Sequence, residues 1–303
     1  MEIIANTIQF YIERPTAVAI GKFDGVHVGH RRLLEEIIER KKSGLAACVF
    51  TFDPPPAVLF GFSDGKELTT REEKRAIFER MGVDILVEFP LNKETAAMPP
   101  MEFATQVLAR QMNAEFVVAG DDLSFGDKGA GDAELLKRLG PDLGYSLKTI
   151  EKVKVDDKEV SSTDIRTLVE HGKMEQVERM LGAPYMIMGT VAHGNRIGRT
   201  LGFPTLNLLP PADKLMPPNG VYDSYVTFEG KKYKGISNVG YKPTVTDEKV
   251  MGIETYLYDF DREIYGENIE VELYSFRRPE KRFNSLDELK AQLDEDIRQG
   301  MRR

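Results

Sequence analysis

The sequence predicts two domains of different class: an α/β doubly wound N-terminal domain, and an all-β antiparallel barrel that ends in a helix. With 303 residues, the chain exceeds the usual size of one domain. Strand-like and helix-like segments alternate up to about residue 150, as in a parallel sheet covered by helices. After residue 182, short runs rich in Val, Ile, Tyr and Thr are separated by Gly and Pro, as in a compact barrel. We therefore expect domains at 1–182 and 183–303.

The first domain is predicted to contain five strands separated by helices. Each strand candidate is a short β-prone apolar run, and each helix candidate repeats apolar residues at helical spacing. The lone cysteine, Cys48, falls in one of these runs, so we expect a packed thiol rather than a nucleophile. The strands are expected at 16–21, 45–52, 83–89, 114–119 and 144–150, and the helices at 31–43, 71–81, 101–112 and 131–139.

The second domain follows a helical stretch near 163–182. Glu229-Gly230-Lys231 lies between two β-prone runs and predicts a hairpin turn. A final amphipathic helix at about 285–299 is expected to pack on the barrel. The predicted strands are 186–192, 221–228, 232–239, 252–260 and 268–276.

Composition limits the class of partner. A formal charge of −8 argues against a nucleic-acid binder that works through bulk electrostatics. The N-terminus lacks the basic and apolar regions of a signal peptide, and no apolar run is long enough to cross a membrane. A single cysteine cannot form an internal disulfide, which fits a reducing compartment. We expect a cytoplasmic protein that binds neither nucleic acid nor membrane and that could form a weak homo-oligomer.

The most informative segment is Gly21-Lys22-Phe23-Asp24-Gly25-Val26-His27-Val28-Gly29-His30. It joins a predicted strand to a predicted helix, so free backbone N–H groups and the positive helix end face one point. Two imidazoles placed there can donate hydrogen bonds to phosphate oxygens as charge builds in phosphoryl or nucleotidyl transfer. The segment indicates an ATP site. The alternative is a tight turn with two exposed histidines.

Two further segments of the first domain carry polar groups. Asp121 and Asp122 follow a predicted strand and open a glycine-bearing loop, where they could contact a ribose or an amine, or simply be solvated. Ser162 and Thr163 open a predicted helix with Arg166 one turn further on. These hydroxyls predict an N-cap, and together with the arginine they could also hold a phosphate.

The barrel domain has a glycine-rich basic loop from Gly189 to Gly202. Thr205 and Asn207 follow it and lie two residues apart, hence on one side of an extended chain. A hydroxyl and an amide oxygen on one side can complete the shell of a Mg²⁺ that also takes phosphate oxygens. Glu254 lies in a strand-like run, where the pattern alone favours a solvent-facing position.

Taken together, these segments resemble the bacterial bifunctional riboflavin kinase/FAD synthetase family nearly end to end. In the first domain the resemblance is carried by Gly21-x-Phe23-Asp24-Gly25-x-His27-x-Gly29-His30, Gly120-Asp121 with Phe125-Gly126, and Ser161-Ser162-Thr163-x-Ile165-Arg166. In the second it is carried by Gly198-Arg199-x-x-Gly202-Phe203-Pro204-Thr205-x-Asn207, Gly220-Val221-Tyr222, Asn238-Val239-Gly240-x-x-Pro243-Thr244 and Glu254-Thr255.

The resemblance implies a nucleotidyltransferase-like first domain that adenylylates FMN to FAD, and a barrel that phosphorylates riboflavin to FMN. It implies Glu254 as catalytic base, Thr205 and Asn207 as Mg²⁺ ligands, and His27, His30 and Arg166 as catalytic in the first domain. The expected flavin contacts are Asp121, Asp122, Phe125, Asn238 and Glu254. The expected ATP contacts are Gly21, Phe23, Asp24, Gly25, His27, Gly29, His30, Ser162, Thr163, Arg166, Gly189, Gly194, Arg199, Gly202, Thr205 and Asn207.

The first domain departs from the family pattern at Pro55, where His is common, and at Ser124 and Glu159, where Arg is common. One alternative is therefore a kinase whose first domain only binds nucleotide. A second is a flavin-dependent regulator that binds RNA, against which the negative charge speaks. A third is an adenylyltransferase for another phosphate ester, against which the complete set of Thr205, Asn207 and Glu254 speaks.

Overall fold

The computed structural model describes residues 1–192, 203, 205–243 and 249–301. The chain forms two compact units: Met1–Gly65 with Lys74–Ser161, and Lys66–Glu73 with Ser162–Arg303. The predicted boundary at residues 182 and 183 does not coincide with this division. As a limit between two activities, that boundary stays a prediction. Within the described residues, no helix combines the length and the apolarity needed to cross a membrane.

The first unit is built on a six-stranded, all-parallel sheet. Its strands are β1 (Glu2–Ala5), β2 (Thr16–Ile20), β3 (Ala46–Asp53), β4 (Ile85–Pro90), β5 (Ala114–Gly120) and β8 (Ser146–Ile150). Their order is β1-β4-β3-β2-β5-β8. Two antiparallel pairs of short strands accompany the sheet: β6 (Ser124–Phe125) with β7 (Gly131–Asp132), and β9 (Lys154–Val155) with β10 (Lys158–Glu159).

Alternate residues of the central strand belong to different hydrophobic clusters. On β2, Ala17 and Ala19 lie in one cluster, whereas Val18 and Ile20 lie in another. Both faces of the sheet are therefore buried, which confirms the doubly wound class. The helices are α1 (Val28–Glu39), α2 (Pro56–Leu59), α3 (Arg71–Met81), which belongs to this unit from Lys74 onward, α4 (Lys93–Ala96), α5 (Pro100–Glu102), which continues as a π-helix over Phe103–Gln111, and α6 (Ala133–Leu143).

The second unit contains a closed antiparallel barrel, as predicted. Its strands are β11 (Tyr185–Ala192), β12 (Thr205–Leu209), β13 (Gly220–Phe228), β14 (Lys231–Pro243), β15 (Lys249–Leu257) and β16 (Asn268–Arg278). They follow the order β11-β12-β15-β14-β13-β16 around the barrel. The unit also contains α7 (Ser162–Glu170), α8 (Met174–Leu181) and the terminal helix α9 (Leu286–Met301).

The two faces of the barrel wall have different partners. Inside, the Ser237 hydroxyl lies 2.8 Å from that of Ser224 and 2.7 Å from that of Thr255, so three buried hydroxyls satisfy one another. On the other face, Ile236 clusters with Ile297 of α9. The terminal helix therefore covers part of the outer wall, which confirms the prediction that it packs on the barrel.

Several predicted elements change in extent. β1 was not predicted, because it is only four residues long and lies at the sheet edge. The predicted helix 31–43 starts earlier, at Val28, and ends as a short 3₁₀-helix over Arg40–Ser43. The barrel has a sixth strand, β12, which is five residues long, stands between Pro204 and Pro210 in sequence and carries little β-propensity signal.

Candidate active sites

The turn after β2 is shaped by backbone conformations that favour glycine. Phe23, Gly25 and Val26 have φ values of 51°, 85° and 43°. The Phe23 ring is fully buried and would lie 3.1 Å from a β-carbon at position 21, so Gly21 gives the ring its place. The ring centroid of Phe23 lies 5.0 Å from that of His30. The turn therefore places the Phe23 ring against the ring of His30.

His27 is the N-cap of α1, and the two histidines lie against each other. The backbone N–H of His30 donates to Nδ1 of His27 at 3.3 Å. The two rings stack with centroids 3.7 Å apart. A β-carbon at Gly29 would lie 3.1 Å from Cε1 of His27, so a larger residue would crowd the ring. Because Nδ1 accepts, a neutral His27 carries its proton on Nε2 and presents a donor.

Burial keeps both imidazoles neutral. It lowers the pKa of His27 from 6.5 to about 4, although the Asp24 and Asp122 carboxylates act in the opposite direction. Burial also lowers the pKa of His30 well below 6.5, and the neighbouring His27 adds to this. Nδ1 of His30 is buried and has no hydrogen-bond partner in the described part of the chain. The site thus offers neutral donors at a helix N-terminus, which suits an anion.

The segment after β5 adds a carboxylate to this site, and the segment after β8 adds a cation. Asp122 acts on His27 electrostatically, and its carboxylate lies 3.6 Å from Nζ of Lys152. Lys152 also lies 3.6 Å from the Glu159 carboxylate. Sequence reasoning missed Lys152, because only the fold brings the residue between two separate carboxylates. It places a positive charge beside Glu159, one of the positions that departs from the family pattern.

Other predicted contacts of the first unit have clear structural roles. The Phe125 ring is 4% exposed and packs against Phe103, so its observed surroundings are core. The backbone N–H of Asp121 donates to the carbonyl of Ile150 at 3.1 Å, which holds the loop to β8. The flavin contacts expected for Asp121, Asp122 and Phe125 stay predictions.

The predicted phosphate-binding helix start falls in the second unit. Ser162 is the first residue of α7, and Thr163 follows it. Nη1 of Arg166 donates to the carbonyl of Lys66 at 2.7 Å. Arg166 therefore holds the segment 66–73, which belongs to the same unit. His27 and His30, by contrast, belong to the first unit. The roles of Ser162, Thr163 and Arg166 toward ATP stay predictions.

In the barrel, three polar residues form one row across neighbouring strands. Asn207 on β12 is paired with Glu254 on β15, which is paired with Asn238 on β14. Paired residues of an antiparallel sheet share a face, so all three side chains stand on the same side of the wall. Thr205, two residues before Asn207, shares that face and is paired with Tyr256. The strand position of Glu254, which the pattern alone predicts to face solvent, is therefore the middle of a polar row.

This row lies on the face that α9 partly covers. Ile236 and Tyr256 stand two residues from Asn238 and Glu254 on the same strands, and both belong to the cluster around Ile297. Asn207 is only 7% exposed. The row is therefore a sheltered polar site beside apolar walls, as small-molecule sites commonly are.

The glycine-rich loop of the barrel is described only in part. Gly189 lies on β11, and a β-carbon there would lie 2.8 Å from the Leu209 carbonyl, so close strand packing explains this glycine. Its ATP contact stays a prediction. The expected ATP contacts Gly194, Arg199 and Gly202 lie outside the described residues.

Comparisons with known proteins match both units. A family model for FAD synthetase matches residues 10–164, and one for riboflavin kinase matches residues 181–303. A bifunctional riboflavin kinase/FMN adenylyltransferase of Listeria monocytogenes is 37% identical, over 92% of this chain and 89% of the relative. The Bacillus subtilis protein of the same name is 36% identical, over 95% and 92% of the two chains. The chain belongs to this bifunctional family.

A solved structure supports the fold of this family member over nearly its whole length. A crystal structure described as a macrolide-efflux protein from Streptococcus pneumoniae has a TM-score of 0.84 and 30% sequence identity, covering 98% of this chain and 97% of that one. The likeness concerns architecture. The two family models account separately for the sheet and the barrel, which favours the bifunctional interpretation over a kinase with an inactive first domain.

Proposed function

We propose that this chain phosphorylates riboflavin to FMN in the barrel and adenylylates FMN to FAD in the parallel-sheet unit. The observation that carries the proposal is the presence of two separate polar sites, one in each unit. The barrel holds the row of Asn207, Glu254 and Asn238, and the sheet holds the neutral pair His27 and His30. Both family models match the units that contain these sites.

In the barrel, Glu254 is proposed to act as general base. The ribityl 5′-hydroxyl of riboflavin gives its proton to the Glu254 carboxylate while its oxygen bonds to the γ-phosphorus of ATP. The bond from that phosphorus to the β–γ bridging oxygen breaks, and ADP leaves. The position of Glu254 in a sheltered row supports this role, because the row places the base beside two side chains that can bind substrate.

The residues near Glu254 fit a magnesium ion brought with ATP. Thr205 supplies a hydroxyl and Asn207 an amide oxygen on the same face, and oxygen donors are what Mg²⁺ prefers. Mg²⁺ usually takes few protein ligands, with substrate phosphates and water completing its shell. When bound, the ion would offset charge on the transferred phosphoryl group.

In the first unit, no general base is needed, because the phosphate of FMN is already ionised. One of its oxygens bonds to the α-phosphorus of ATP, and the bond to the leaving pyrophosphate breaks. Nε2–H of His27 is proposed to donate to the phosphate oxygens as charge shifts, and His30 is held beside it by stacking. The neutrality of both rings supports this role, since they act as preorganised donors rather than as proton acceptors.

The proposed partners are ATP, riboflavin and FMN, with flavins as substrate and product. We expect the enzyme to act in the cytoplasm, without nucleic-acid or membrane partners. These expectations are supported by the net charge of −8 and by the single, buried cysteine.

One incubation tests the proposal. Pure protein is incubated with riboflavin, ATP and Mg²⁺, and the flavins are separated by chromatography over time. We expect FMN to appear first and FAD later. If FMN accumulates and added FMN is not converted, the first unit lacks the proposed activity.

The metal assignment has its own test. Replacing Thr205 with Ala removes one oxygen donor, so we expect riboflavin phosphorylation to need a higher Mg²⁺ concentration. The rate should fall by about tenfold or more, as is typical when a residue that supports a metal site is replaced. Conversion of added FMN to FAD serves as the internal control. An unchanged Mg²⁺ dependence of riboflavin phosphorylation would contradict the assignment.

A further inference from the structure

The loop between β16 and α9 brings a carboxylate onto the candidate flavin site. Oε1 of Glu280 accepts a hydrogen bond from Nδ2 of Asn238 at 3.1 Å, and Oε2 accepts one from Nδ2 of Asn219 at 3.3 Å. Asn219 directly precedes β13, whereas Asn238 lies in the middle of β14. One exposed carboxylate thus joins three separate segments of the second unit.

A glycine makes room for this carboxylate. A β-carbon at Gly240 would lie 2.8 Å from Cδ of Glu280 and closer still to Oε1, and the three nearest atoms all belong to that carboxylate. Gly240 does not have a positive φ, so its backbone conformation does not require glycine. The space for Glu280 is therefore the physical reason for glycine at position 240.

The hydrogen bond fixes the direction of the Asn238 amide. Because Nδ2 donates to Glu280, the amide oxygen is left as an acceptor, and no donor to that oxygen is found among the described residues. Asn238 is paired in register with Glu254, the proposed base for the ribityl 5′-hydroxyl. An acceptor at this place would lie beside the reacting end of a bound ribityl chain, since Glu254 is the proposed base for its 5′-hydroxyl.

We propose that Glu280 is a positioning residue of the riboflavin site, which orients Asn238 so that its amide oxygen accepts a hydrogen bond from a ribityl hydroxyl. This inference rests on the proposed kinase activity of the barrel. Without Glu280 the amide rotates freely and can present its NH₂ group to the hydroxyl instead. Riboflavin binding then weakens, whereas ATP binding is untouched.

The first test is Glu280→Ala in the full-length protein. We expect the KM for riboflavin to rise about fivefold, the effect of one neutral hydrogen bond, with an unchanged KM for ATP. Binding of lumiflavin, which has the ring system but no ribityl chain, should not change. Glu229→Ala is the matched control: Glu229 is also exposed and held by two hydrogen bonds, from Arg262, at the turn that joins β13 to β14. That variant should keep the wild-type KM for riboflavin.

Gly240→Ala gives an independent test, since it displaces the carboxylate without removing it. Alone it should raise the KM for riboflavin as Glu280→Ala does. Combined with Glu280→Ala it should add nothing, because the two changes act through one hydrogen bond. The inference is overturned if Glu280→Ala leaves the KM for riboflavin unchanged, raises the KM for ATP equally, or weakens lumiflavin binding as much. Failure of the wild-type protein to phosphorylate riboflavin would refute the proposed function, and this result is distinguishable from a failure of the inference about Glu280.

Discussion

At the residue scale, the two proposed sites provide groups of different function: a neutral hydrogen-bond donor in the first unit and a carboxylate base in the barrel. The local structure around each group explains the difference. His27 caps α1 through Nδ1, which leaves its proton on Nε2, and burial keeps the ring neutral. Glu254 instead stands among polar neighbours on the barrel wall. A neutral donor suits an ionised phosphate nucleophile, whereas a carboxylate suits an alcohol nucleophile that must lose a proton.

Replacing Glu254 with Gln should therefore separate the two activities. The amide keeps the shape of the side chain but cannot take the ribityl proton, so riboflavin phosphorylation should fall by about a hundredfold or more. Conversion of added FMN to FAD should stay within twofold of the wild-type rate. Both rates can be measured by chromatography of the flavins. Equal loss of both activities in a folded variant would contradict the assignment of two sites.

The histidines also predict how stability depends on pH. The pKa of His27 is about 4 in the folded protein and 6.5 as a free side chain, so between these values the unfolded chain binds the extra proton. Stability of the first unit should thus fall as pH is lowered from 6.5 to 4. In His27→Gln, unfolding measured at several pH values should show a shallower fall over this window. Parallel curves for the two proteins would show that His27 does not contribute.

The sequence predicts those features of the two sites whose residues are neighbours along the chain. The strand-turn-helix at residues 16–30 could be placed because apolar strand, glycines and helix periodicity adjoin in sequence. The row of Asn207, Glu254 and Asn238 depends on strand register, which a single sequence does not reveal. Lys152 and Glu280 were missed because folding brings them to Asp122 and Asn238, which are distant from them in sequence.

At the element scale, a short segment from the first half of the chain belongs to the barrel unit. Within residues 66–73, Glu73 forms an ion pair of 2.7 Å with Lys214, and both side chains are 0% exposed. The carboxylate of Glu73 also accepts from the backbone N–H of Met188, and Nζ of Lys214 donates to the carbonyl of Leu68. Nothing in the local sequence of 66–73 indicates this pairing, because both partners must first be folded.

Glu73→Gln should strongly destabilise the second unit. Removing one partner of a buried ion pair leaves the other charge uncompensated, at a cost of about 3–5 kcal/mol. The loss can be followed as a lower urea midpoint for riboflavin kinase activity. Glu79→Gln is the control on the same helix, because Glu79 is 67% exposed. Lys214→Met in the Glu73→Gln protein should recover much of the loss; a double variant no more stable than Glu73→Gln would contradict this account.

At the scale of the whole molecule, the two proposed catalytic groups lie in different compact units of one chain. His27 and His30 belong to the unit that contains the parallel sheet, and Glu254 belongs to the barrel unit. The fold class of each unit could be predicted, because alternation of elements and β-rich composition persist over long stretches. The assignment of 66–73 and of α7 and α8 to the barrel unit could not, since packing rather than local pattern decides it.

Because each site is built by residues of its own, two defective variants should complement each other in solution. His30→Ala should lose FAD formation by about a hundredfold, the usual effect of removing a preorganised donor, and should still make FMN. Glu254→Gln should make FAD only from added FMN. An equimolar mixture given riboflavin, ATP and Mg²⁺ should then form FAD after a lag in which free FMN builds up. The control is the double variant, which carries His30→Ala and Glu254→Gln in one chain. Incubated by itself with the same substrates, it should form no FAD. If the mixture makes FMN but no FAD, while Glu254→Gln alone converts added FMN, then FMN made in one barrel does not reach a second molecule, and the sites are not independent.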